Sequence, residues 1–597
     1  MGSAFRFIFI ALSGVLLYFW LAKPNSNGTR QQLEQPQVVV PATRAAYEYC
    51  EIKTDLFRAQ LTTRGATLKR FELITPKYEK NGKPHDVSTT PQPGAVPNTP
   101  SEEDPNAGSE QAAGTAHEFR QQLFVQFRNP TSPGPKDTKW DVAYDSMDWK
   151  LAAKTPTSCT FEYSDDSVKL QKLISATQNA YELEISTSVQ NLASEPRETA
   201  VAIDTVAWWL DKDVASHMFR VSPYVTTVEC IGEDGTAIRK RPDAFEPSHW
   251  EEPGFKATAG QGWFQVDAAP AVAAVSNAYF SHAIAPVDAP VRPICQLQVE
   301  PRRGGADPGS FYRARLAYPT RILQPGQTDT YKVLSYIGPK ERRVLALAGD
   351  GKHRLSDLID LGFFASIAKV LVEFLLRVHG VIPNWGIAII VLTLCARVLL
   401  FPLAVPGIRT MIRMRELRPE LDALNEKYKD DVRAKGVAQM ELFRKHGMSP
   451  FDQIKGCLPQ LATMPVWFAL YTTLQTAVEL YNIPFLWFPD LSAPDPYFVL
   501  PFIIGGTYFV QQKIMPFQGD PAQRKMMLYF MPGMFTVFML FLPSGLGVYM
   551  FTNSILAILQ QQGVEALARR SSDKGRVAVT AVSETTSRPL TRGKPRS

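Results

Sequence analysis

Hydrophobic and polar residues alternate with a period of two over much of the first half of the chain. Between residues 181 and 189, for example, Tyr, Leu, Ile and Val alternate with Glu and Ser. A period of two places the apolar side chains on one face of a strand. Similar runs begin at Phe57 and Tyr331, with no long helical period between them. The pattern predicts a β-sandwich domain over residues 47–345.

One stretch inside this predicted domain interrupts the alternation. Residues 81–114 are rich in Pro, Gly, Ser, Thr and Glu and contain few apolar side chains. A segment of this composition buries too little apolar surface to offset its conformational entropy. We therefore expect a disordered insertion at residues 81–114.

The chain begins with a short apolar run, residues 7–22, which follows Arg6. Such a run suits a cleaved signal peptide, but no small-x-small cleavage pattern precedes Lys23. The sequence favours an uncleaved signal-anchor transmembrane helix at residues 1–22. A polar linker rich in Gln, Asn and Pro follows at residues 23–46.

In the second half of the chain the apolar residues form long runs. Residues 383–405 include NWGIAIIVLTLCARVLLFP and are long and apolar enough for a second transmembrane helix. Residues 457–563 contain four more apolar stretches, which predict transmembrane helices 3–6. These stretches are Cys457–Leu480, Tyr497–Met515, Met526–Leu542 and Leu546–Gln562. The predicted fold is a polytopic α-helical membrane protein with six spans, five of them forming a core, and a large periplasmic β-sandwich domain.

Two charged segments flank the second predicted span. Residues 355–380 predict an amphipathic helix lying in the membrane interface rather than a buried helix of the β domain. Its apolar stripe comprises Phe363, Ile367, Val370, Leu371, Phe374 and Val378. Residues 406–455 predict a helical hairpin with eleven Lys and Arg, whereas residues 482–496 have none. The positive-inside rule then places the hairpin and both termini in the cytoplasm.

The last segment, residues 564–597, is basic, rich in Ser and Thr, and unpatterned. We expect a disordered cytoplasmic tail. The positive charge of this tail either suits binding to anionic lipid or ribosomal RNA, or serves only as a solvated signal for membrane topology. The net charge of the whole chain, +6, indicates no nucleic-acid partner by itself.

Arg397 lies inside the second predicted span, with Thr393 one turn earlier on the same face. An arginine at membrane depth is costly unless water or a polar partner receives it. Arg397 therefore either extends to the nearer headgroups or faces a water-filled cavity inside the helical bundle. Further polar residues at helical spacing are Gln460, Tyr471, Gln475, Tyr549, Asn553 and Gln560. These side chains either line the same cavity as Arg397 or form hydrogen bonds to neighbouring helices.

The sequence contains no pattern of a catalytic or metal site. The eight histidines are scattered, no GxSxG or HExxH motif occurs, and the six cysteines form no CxxC pair. No Asp or Glu lies in the middle of a predicted span, where an ion-coupled transporter usually has one. Four cysteines of the β domain either form disulfides or stay free. They are Cys50, Cys159, Cys230 and Cys295.

From about residue 355 to residue 562 the chain resembles the YidC/Oxa1/Alb3 family of membrane protein insertases. The resemblance rests on the second-span sequence and the charged hairpin, and on three further motifs. These are GCLPQLATMPVWFALY at 456–471, PFLWFPDLSAPDPYFVLP at 484–501 and FLPSGLGVYMFTNSILAILQQ at 541–561. An N-terminal anchor before a large β domain resembles the Gram-negative YidC form, which implies a β-supersandwich.

The resemblance implies a protein of the bacterial inner membrane that inserts and folds other membrane proteins, as insertase and chaperone. It implies a hydrophilic groove with a single Arg, open to the cytoplasm and to lipid. The expected groove residues are Arg397, Thr393, Gln460, Tyr549 and Asn553. The expected hydrophobic slide for a client's apolar span comprises Met464, Phe468, Met534 and Phe538.

The partners implied by the resemblance are nascent membrane proteins, the Sec translocon, membrane lipids and, through the hairpin and basic tail, the ribosome. It implies no cofactor, no metal and no enzymatic reaction. One position departs from the family pattern, because Met550 follows Tyr549 where an aromatic pair is expected. Two other functions stay open on the sequence: a small-solute transporter with a periplasmic sensing domain, and an assembly factor whose β domain is the active surface.

Overall fold

The structure is a computed structural model that describes most of the chain. The described residues are 48–79, 84–87, 124–128, 142–143, 147–214, 224–258, 261–302, 309–428, 431–447, 464–466, 468–514 and 525–586. The predicted anchor helix at 1–22 and linker at 23–46 lie outside them. The chain divides into two compact units. We name residues 24–360 with 475–482 the β unit, and residues 1–23, 361–474 and 483–597 the helical unit.

The strands described in the β unit form three antiparallel sheets. A four-stranded sheet comprises, in order, β1 (Tyr49–Lys53), β2 (Phe57–Thr62), β3 (Thr67–Leu73) and β4 (His85–Asp86). An eight-stranded sheet comprises β5 (Phe124–Arg128), β6 (Val142–Ala143), β11 (Arg197–Leu210), β14 (Phe255–Thr258), β15 (Gln261–Val266), β18 (Ile294–Arg302), β19 (Gly309–Ala317) and β20 (Arg321–Leu323). A nine-stranded sheet comprises β7 (Lys150–Thr155), β8 (Ser158–Ser164), β9 (Val168–Ala176), β10 (Glu182–Asn191), β12 (Thr227–Gly232), β13 (Ala237–Lys240), β16 (Pro270–Ser276), β17 (Phe280–Asp288) and β21 (Thr328–Pro339).

The order of strands in the nine-stranded sheet is β13-β12-β16-β17-β21-β10-β9-β8-β7. In the eight-stranded sheet it is β14-β15-β18-β19-β11-β5-β6, with β20 paired to β11. The two large sheets pack face to face around the core of the unit. Buried and exposed residues alternate along β9, whereas every residue of β16 is buried because both of its faces are covered. The predicted sheet-rich domain is confirmed.

Two disulfides each join two different sheets. Cys50 of β1 pairs with Cys159 of β8, and Cys230 of β12 pairs with Cys295 of β18. The sequence leaves disulfides and free thiols open at these positions, and the structure pairs all four. Such cross-links persist in oxidising compartments, which agrees with a periplasmic domain.

The insertion predicted at residues 81–114 is contradicted at residues 84–87, the part of it that the structure describes. His85–Asp86 pairs with β3, and the side chains of His85 and Val87 are buried. The His85 ring lies 5.0 Å from the Phe280 ring in an edge-to-face contact. These contacts make residues 84–87 part of the sheet, and residues 88–114 lie outside the described residues.

The β unit includes a short segment from the second half of the sequence, residues 475–482. Tyr481 is buried in the aromatic core, with its ring 5.3 Å from Tyr279 and 5.9 Å from Phe280. Val478 belongs to the same core. The segment is therefore held by the packing of the β unit and not by the helices that precede and follow it in sequence.

This segment corrects the predicted third span, Cys457–Leu480. The described helical residues there are 464–466 and 468–476, and Val478–Leu480 forms a 3-10 turn. Glu479 is buried and accepts hydrogen bonds from the backbone N–H of Arg342 at 3.2 Å and from its Nη1 at 3.0 Å. The prediction misses this because an apolar run in sequence does not distinguish membrane burial from burial in a β core.

The described helices belong mainly to the helical unit. The β unit has α1 (Asp211–Val214) and α2 (Arg342–Leu347). The helical unit has α3 (Ala365–Val381), α4 (Trp385–Glu416), α5 (Arg418–Lys427), α6 (Val432–Lys445), α7 (Val499–Ile514), α8 (Met531–Met539) and α9 (Ser544–Thr586). A π-helical turn, Met526–Phe530, precedes α8.

Among the described residues, α4 is the one helix whose length and apolar content suffice to cross a membrane, over Trp385–Pro402. Met526–Met539 is apolar but shorter. Six spans therefore stay a prediction. Helix α4 contains Pro402 and Pro406 and continues past residue 405 to Glu416. The predicted hairpin therefore begins as an extension of α4.

The side chains of α3 that are buried in the protein are not those of the predicted apolar stripe. Ala368, Val372 and Leu375 are buried, whereas Phe363 is 94% exposed and Val370 is 68% exposed. The helix packs on α4. It thus has two apolar faces, one covered by protein and one open, as expected of a helix at a lipid surface.

Helix α9 extends to Thr586, although we expect no secondary structure after residue 563 from the sequence. The residues that follow, Val-Glu-Ala-Leu-Ala at 564–568, include strong helix formers. No proline interrupts the chain between Pro543 and Pro589. The basic tail is therefore helical up to Thr586.

Candidate functional site

Arg397 lies on α4 where this helix packs against α9. Its Nε donates a hydrogen bond to Asn553 Oδ1 at 2.7 Å, and its Nη2 donates to the main-chain oxygen of Asn553 at 3.1 Å. The side chain is half-buried. Within the described part of the chain, Arg397 pairs with no carboxylate, so its charge is held by two neutral oxygens.

The neighbours of Asn553 satisfy their hydroxyl groups within α9. Thr552 Oγ1 donates to the Val548 oxygen at 2.8 Å. Ser554 Oγ donates to the Met550 oxygen at 2.9 Å. Bonds of this kind to the carbonyl four residues earlier keep the hydroxyl hydrogen on its own helix. Asn553 is therefore the residue of this turn that bonds α4.

Two tyrosines add to the polar surroundings of Arg397. Tyr549 on α9 and Tyr508 on α7 both interact electrostatically with the guanidinium, and Tyr549 is buried. The Tyr508 hydroxyl bonds the side chain of Ser554. Tyr549 is among the groove residues predicted from the sequence, whereas Tyr508 is not. The available signal was a tyrosine inside the apolar run at residues 497–515.

Glycines let α7 approach both α8 and α9. A Cβ on Gly505 would overlap Thr536 Oγ1 of α8. A Cβ on Gly547 would lie 2.5 Å from Leu500 Cδ2. Small residues permit this close packing of membrane helices. The close packing brings α7, and with it Tyr508, beside α9.

The other predicted groove residues differ in their surroundings. Thr393 is fully buried, and its Oγ1 donates to the Ile389 oxygen at 2.7 Å within α4, so its hydroxyl hydrogen is already used. Gln460 lies outside the described residues. Gln560 Nε2, on α9, is buried and has no hydrogen-bond partner among the residues the structure describes. An ordered water is the usual partner of such a group.

The four predicted slide residues lie at least partly on the surface of the helical unit. Met464 is 43% exposed, Phe468 39% and Met534 37%, and Phe538 is partly exposed. The Phe468 ring stacks on Phe364 at 6.2 Å. Apolar side chains in these positions suit contact with another apolar segment or with lipid.

Helix α4 presents an apolar surface beside the arginine. Val398 is 66% exposed and Leu399 is 77% exposed, whereas Ile389 and Leu392 are buried. Neighbouring apolar side chains that are this exposed are unusual on a protein face that contacts water. The outer face of α4 is therefore suited to lipid, and its inner face carries Thr393 and Arg397.

A loop closes one end of the bundle. The N–H groups of Ser544 and Gly545, where α9 begins, donate to the oxygens of Ala493 and Leu491, both at 2.8 Å. Asp495 is buried, and its carboxylate accepts a hydrogen bond at 2.7 Å from a backbone N–H in the first turn of α7. The loop of residues 483–498 is thus tied to the start of two helices.

The described ranges hold no group of three or more His, Cys, Asp or Glu side chains placed to bind a metal ion. Cys395, on α4, is exposed and free. What the site offers is a set of hydrogen-bond donors on one cation, beside tyrosine hydroxyls and an apolar surface. Such a set binds and orients a polar segment.

Comparison with protein families gives two matches that together cover most of the chain. The model of the 60Kd inner membrane protein family matches residues 377–570. The model of the YidC periplasmic domain matches residues 110–374. The first match contains Arg397 and Asn553, and the second lies mostly in the β unit and ends inside α3.

Curated relatives extend the similarity to most of their own length. The membrane protein insertase YidC of Anaeromyxobacter dehalogenans strain 2CP-C is 34% identical over 510 residues, covering 85% of this chain and 83% of that protein. The membrane protein insertase YidC of Paraburkholderia phymatum is 31% identical over 511 residues, covering 85% and 82%. A third, from Anaeromyxobacter dehalogenans strain 2CP-1, is 48% identical over 231 residues, covering 38% of this chain and 41% of that protein.

Proposed function

This chain belongs to the YidC family of membrane protein insertases, and from that premise we propose that it moves the polar tails of client proteins through a hydrophilic groove whose cation is Arg397. The observation that carries the proposal is a half-buried guanidinium bonded to Asn553 and paired with no carboxylate among the described residues. A carboxylate in a client's tail is the ligand that such a cation lacks. The groove is formed by α4, α7 and α9, with Thr393, Tyr549, Asn553 and Gln460 as its polar residues.

The energetics favour a binding mechanism without a covalent step. A polar tail crossing a dry bilayer loses the hydration of its charges and backbone groups. A water-containing groove shortens the dry part of the path, and Arg397 offsets the cost of an acidic residue in the tail. Burial of the client's apolar span, at about 25 cal/mol per Å², then drives completion.

The apolar span of a client leaves along the surface that carries the four slide residues. Their exposure supports this role, because an apolar segment needs an uncovered apolar surface to contact. Methionine and phenylalanine adapt to segments of different shape. The slide comprises Met464, Phe468, Met534 and Phe538.

We propose that the protein has six spans in the inner membrane, with both termini in the cytoplasm. The disulfides support an oxidising location for the β unit. The eleven Lys and Arg of residues 406–455 support a cytoplasmic hairpin. The proposed parts are the anchor (1–22), linker (23–46), β domain (47–345), interfacial helix (355–380), second span (383–405), hairpin (406–455), spans three to six (457–563) and tail (564–597).

The clients are nascent membrane proteins, which follows from insertase function. We propose that the protein also assists their folding as a chaperone and works alone or with the Sec translocon. Contact with the ribosome would use the hairpin and the basic tail, and contact with lipid would use α3. The exposed face of α3 supports the last of these.

The test compares Arg397→Ala with Arg397→Lys during insertion of a client with a short acidic tail. Loss with alanine and retention with lysine is expected, because the site needs a cation at that depth. Equal insertion by both variants and the unchanged protein would overturn the proposal. Val398→Ala, next in sequence and exposed, is the control for a general effect on α4 and is expected to insert normally.

The transporter alternative lacks a supporting observation. The described helices of the helical unit contain no buried Asp or Glu that an ion-coupled transporter would use. Solute flux in proteoliposomes that contain only this protein would decide in favour of the transporter function.

A further inference from the structure

We propose that Asn553 is the resting ligand of Arg397, and that a client's carboxylate must displace it to bind the edge formed by Nε and Nη2. Asn553 would then determine which client tails the groove accepts. This inference rests on the proposed role of Arg397 as the groove's cation, and it adds the contact that must break. It treats Asn553 as a competitor for the arginine rather than as one more polar residue of the groove lining.

The bonded edge of the guanidinium, Nε with Nη2, is one of the two edges at which a carboxylate forms a bidentate pair. Nε and Nη2 of Arg397 point their N–H groups in parallel, and both bond oxygens of Asn553. A carboxylate accepts the same two N–H groups in a bidentate pair. Asn553 therefore occupies an edge from which an acidic side chain would bind, and both ligands do not fit there at once.

The β unit contains the occupied version of the same geometry. Arg315 Nε donates to Asp204 Oδ1 at 2.6 Å, and its Nη2 donates to Asp204 Oδ2 at 2.8 Å. In the helical unit the same pair of nitrogens binds an amide oxygen and a main-chain oxygen at 2.7 and 3.1 Å. The same edge of arginine thus takes a charged ligand at Arg315 and a neutral one at Arg397.

A neutral resting ligand has two consequences. It satisfies donors that would be costly to leave without a partner in a half-buried site. It also binds less strongly than a carboxylate, because an amide oxygen carries only a partial charge, whereas a carboxylate adds the attraction between two full opposite charges. A client's Asp or Glu can therefore replace Asn553, whereas a client's Asn or Gln offers Arg397 no gain.

The flanking residues support this assignment. The Thr552 and Ser554 hydroxyls donate to carbonyls of their own helix, so neither donates to an incoming carboxylate. The selectivity for charge then depends on Arg397 and on the ease with which Asn553 is displaced.

The experiment measures binding of a labelled client-tail peptide to the full chain in lipid nanodiscs. Two peptides differ only in one Asp or Asn, and the ratio of their dissociation constants is the charge preference. Asn553→Asp places a permanent carboxylate on the arginine and is expected to lower the preference about tenfold or more. Asn553→Ala frees Nε and is expected to raise it about tenfold, the equivalent of one hydrogen bond to a charged group.

Asn384→Asp is the matched control for adding one acid to this unit. Asn384 Oδ1 accepts the Ile387 N–H at 3.0 Å at the start of α4, a position where Asp serves as well as Asn. It is expected to leave the preference unchanged. If Asn553→Asp fails to reach the membrane, Asn553→Ala alone tests the inference. A charge preference of Asn553→Ala equal to that of the unchanged protein overturns the inference.

Arg397→Ala separates this inference from the proposed function. If Arg397→Ala abolishes the charge preference while both Asn553 variants leave it unchanged, Asn553 does not compete and only the inference fails. If Arg397→Ala itself keeps the preference, the groove's cation is not Arg397 and the proposed function fails with it.

Discussion

Two arginines of this chain, one in each unit, bind oxygens through the same pair of nitrogens, yet their surroundings differ. In the β unit, Arg315 meets the carboxylate of Asp204, and Arg313 Nε lies 3.5 Å from the same group. In the helical unit, Arg397 meets only the neutral oxygens of Asn553. The first charge is matched by a carboxylate within the fold, whereas the second has no carboxylate partner among the described residues.

The matched pair shows how the β unit holds a buried charge. Burial by itself would raise the pKa of Asp204, but the guanidinium groups of Arg315 and Arg313 hold that pKa below its usual value. The carboxylate thus stays ionised inside the fold. An ion pair of this kind is structural, since its partners are already satisfied, and the comparison with Arg397 separates a structural arginine from a binding arginine.

The largest expected effect on stability comes from removing the acid of the matched pair. Asp204→Asn removes the carboxylate that faces two partly buried guanidinium groups, which should cost about 3–5 kcal/mol of unfolding free energy. Urea unfolding of the full chain in detergent, followed by tryptophan fluorescence, measures it. Asp288→Asn makes the same chemical change at an exposed site and should stay within about 0.5 kcal/mol. Equal stability of both variants would remove the distinction between the two arginines.

A second effect tests whether residues 475–482 belong to the β unit. Tyr481→Ala removes a buried ring from contact with Tyr279 and Phe280 and should cost about 3 kcal/mol in the unfolding of that unit. Tyr497→Ala, at a side chain that is 70% exposed, is the control and should change little. Protease resistance of the β unit in the full chain is the readout. Unchanged resistance after Tyr481→Ala would mean that the segment is not part of the core.

A smaller, pH-dependent effect belongs to the β unit alone. Burial lowers the pKa of His282 to about 4, against about 6.5 in an unfolded chain. The unfolded state therefore binds a proton first, and stability should fall as pH drops from about 6.5 to about 4, by roughly 2–3 kcal/mol. The Asp204 contribution is lost only at lower pH, because its pKa lies below the ordinary carboxyl value.

His282→Gln isolates this effect. The variant should flatten the dependence of urea-unfolding free energy on pH between about 6.5 and about 4, whatever its stability at neutral pH. A slope as steep as that of the unchanged protein would assign the acid sensitivity to another group.

The sequence predicts the sheet-rich domain because alternation of apolar and polar residues reports directly on strand burial. It leaves the pairing of Cys50 with Cys159 and of Cys230 with Cys295 open, because each pair joins two sheets and depends on how those sheets stack. It assigns Glu479 to a span, because an apolar run does not reveal which unit buries it.

The candidate site likewise has features that the sequence predicts and features that depend on how the helices pack. Arg397 is predictable because a charge inside an apolar run is conspicuous in any sequence. Its bonds to Asn553 follow from the packing of α4 on α9, which periodicity alone does not give. Tyr508 is missed because its position on α7 matters only once Gly505 and Gly547 have brought α7 close to its neighbours.

The central claim is that water reaches the Arg397 guanidinium from the cytoplasm and from no other side. Its most direct test places a cysteine at Tyr549 or at Asn553, with Cys395 and Cys457 replaced by serine, and adds a membrane-impermeant thiol reagent to either side of oriented vesicles. The account predicts modification from the cytoplasmic side only. Protection from both sides would mean that the site packs against lipid, and modification from both sides would mean a continuous pore, and either result contradicts the account.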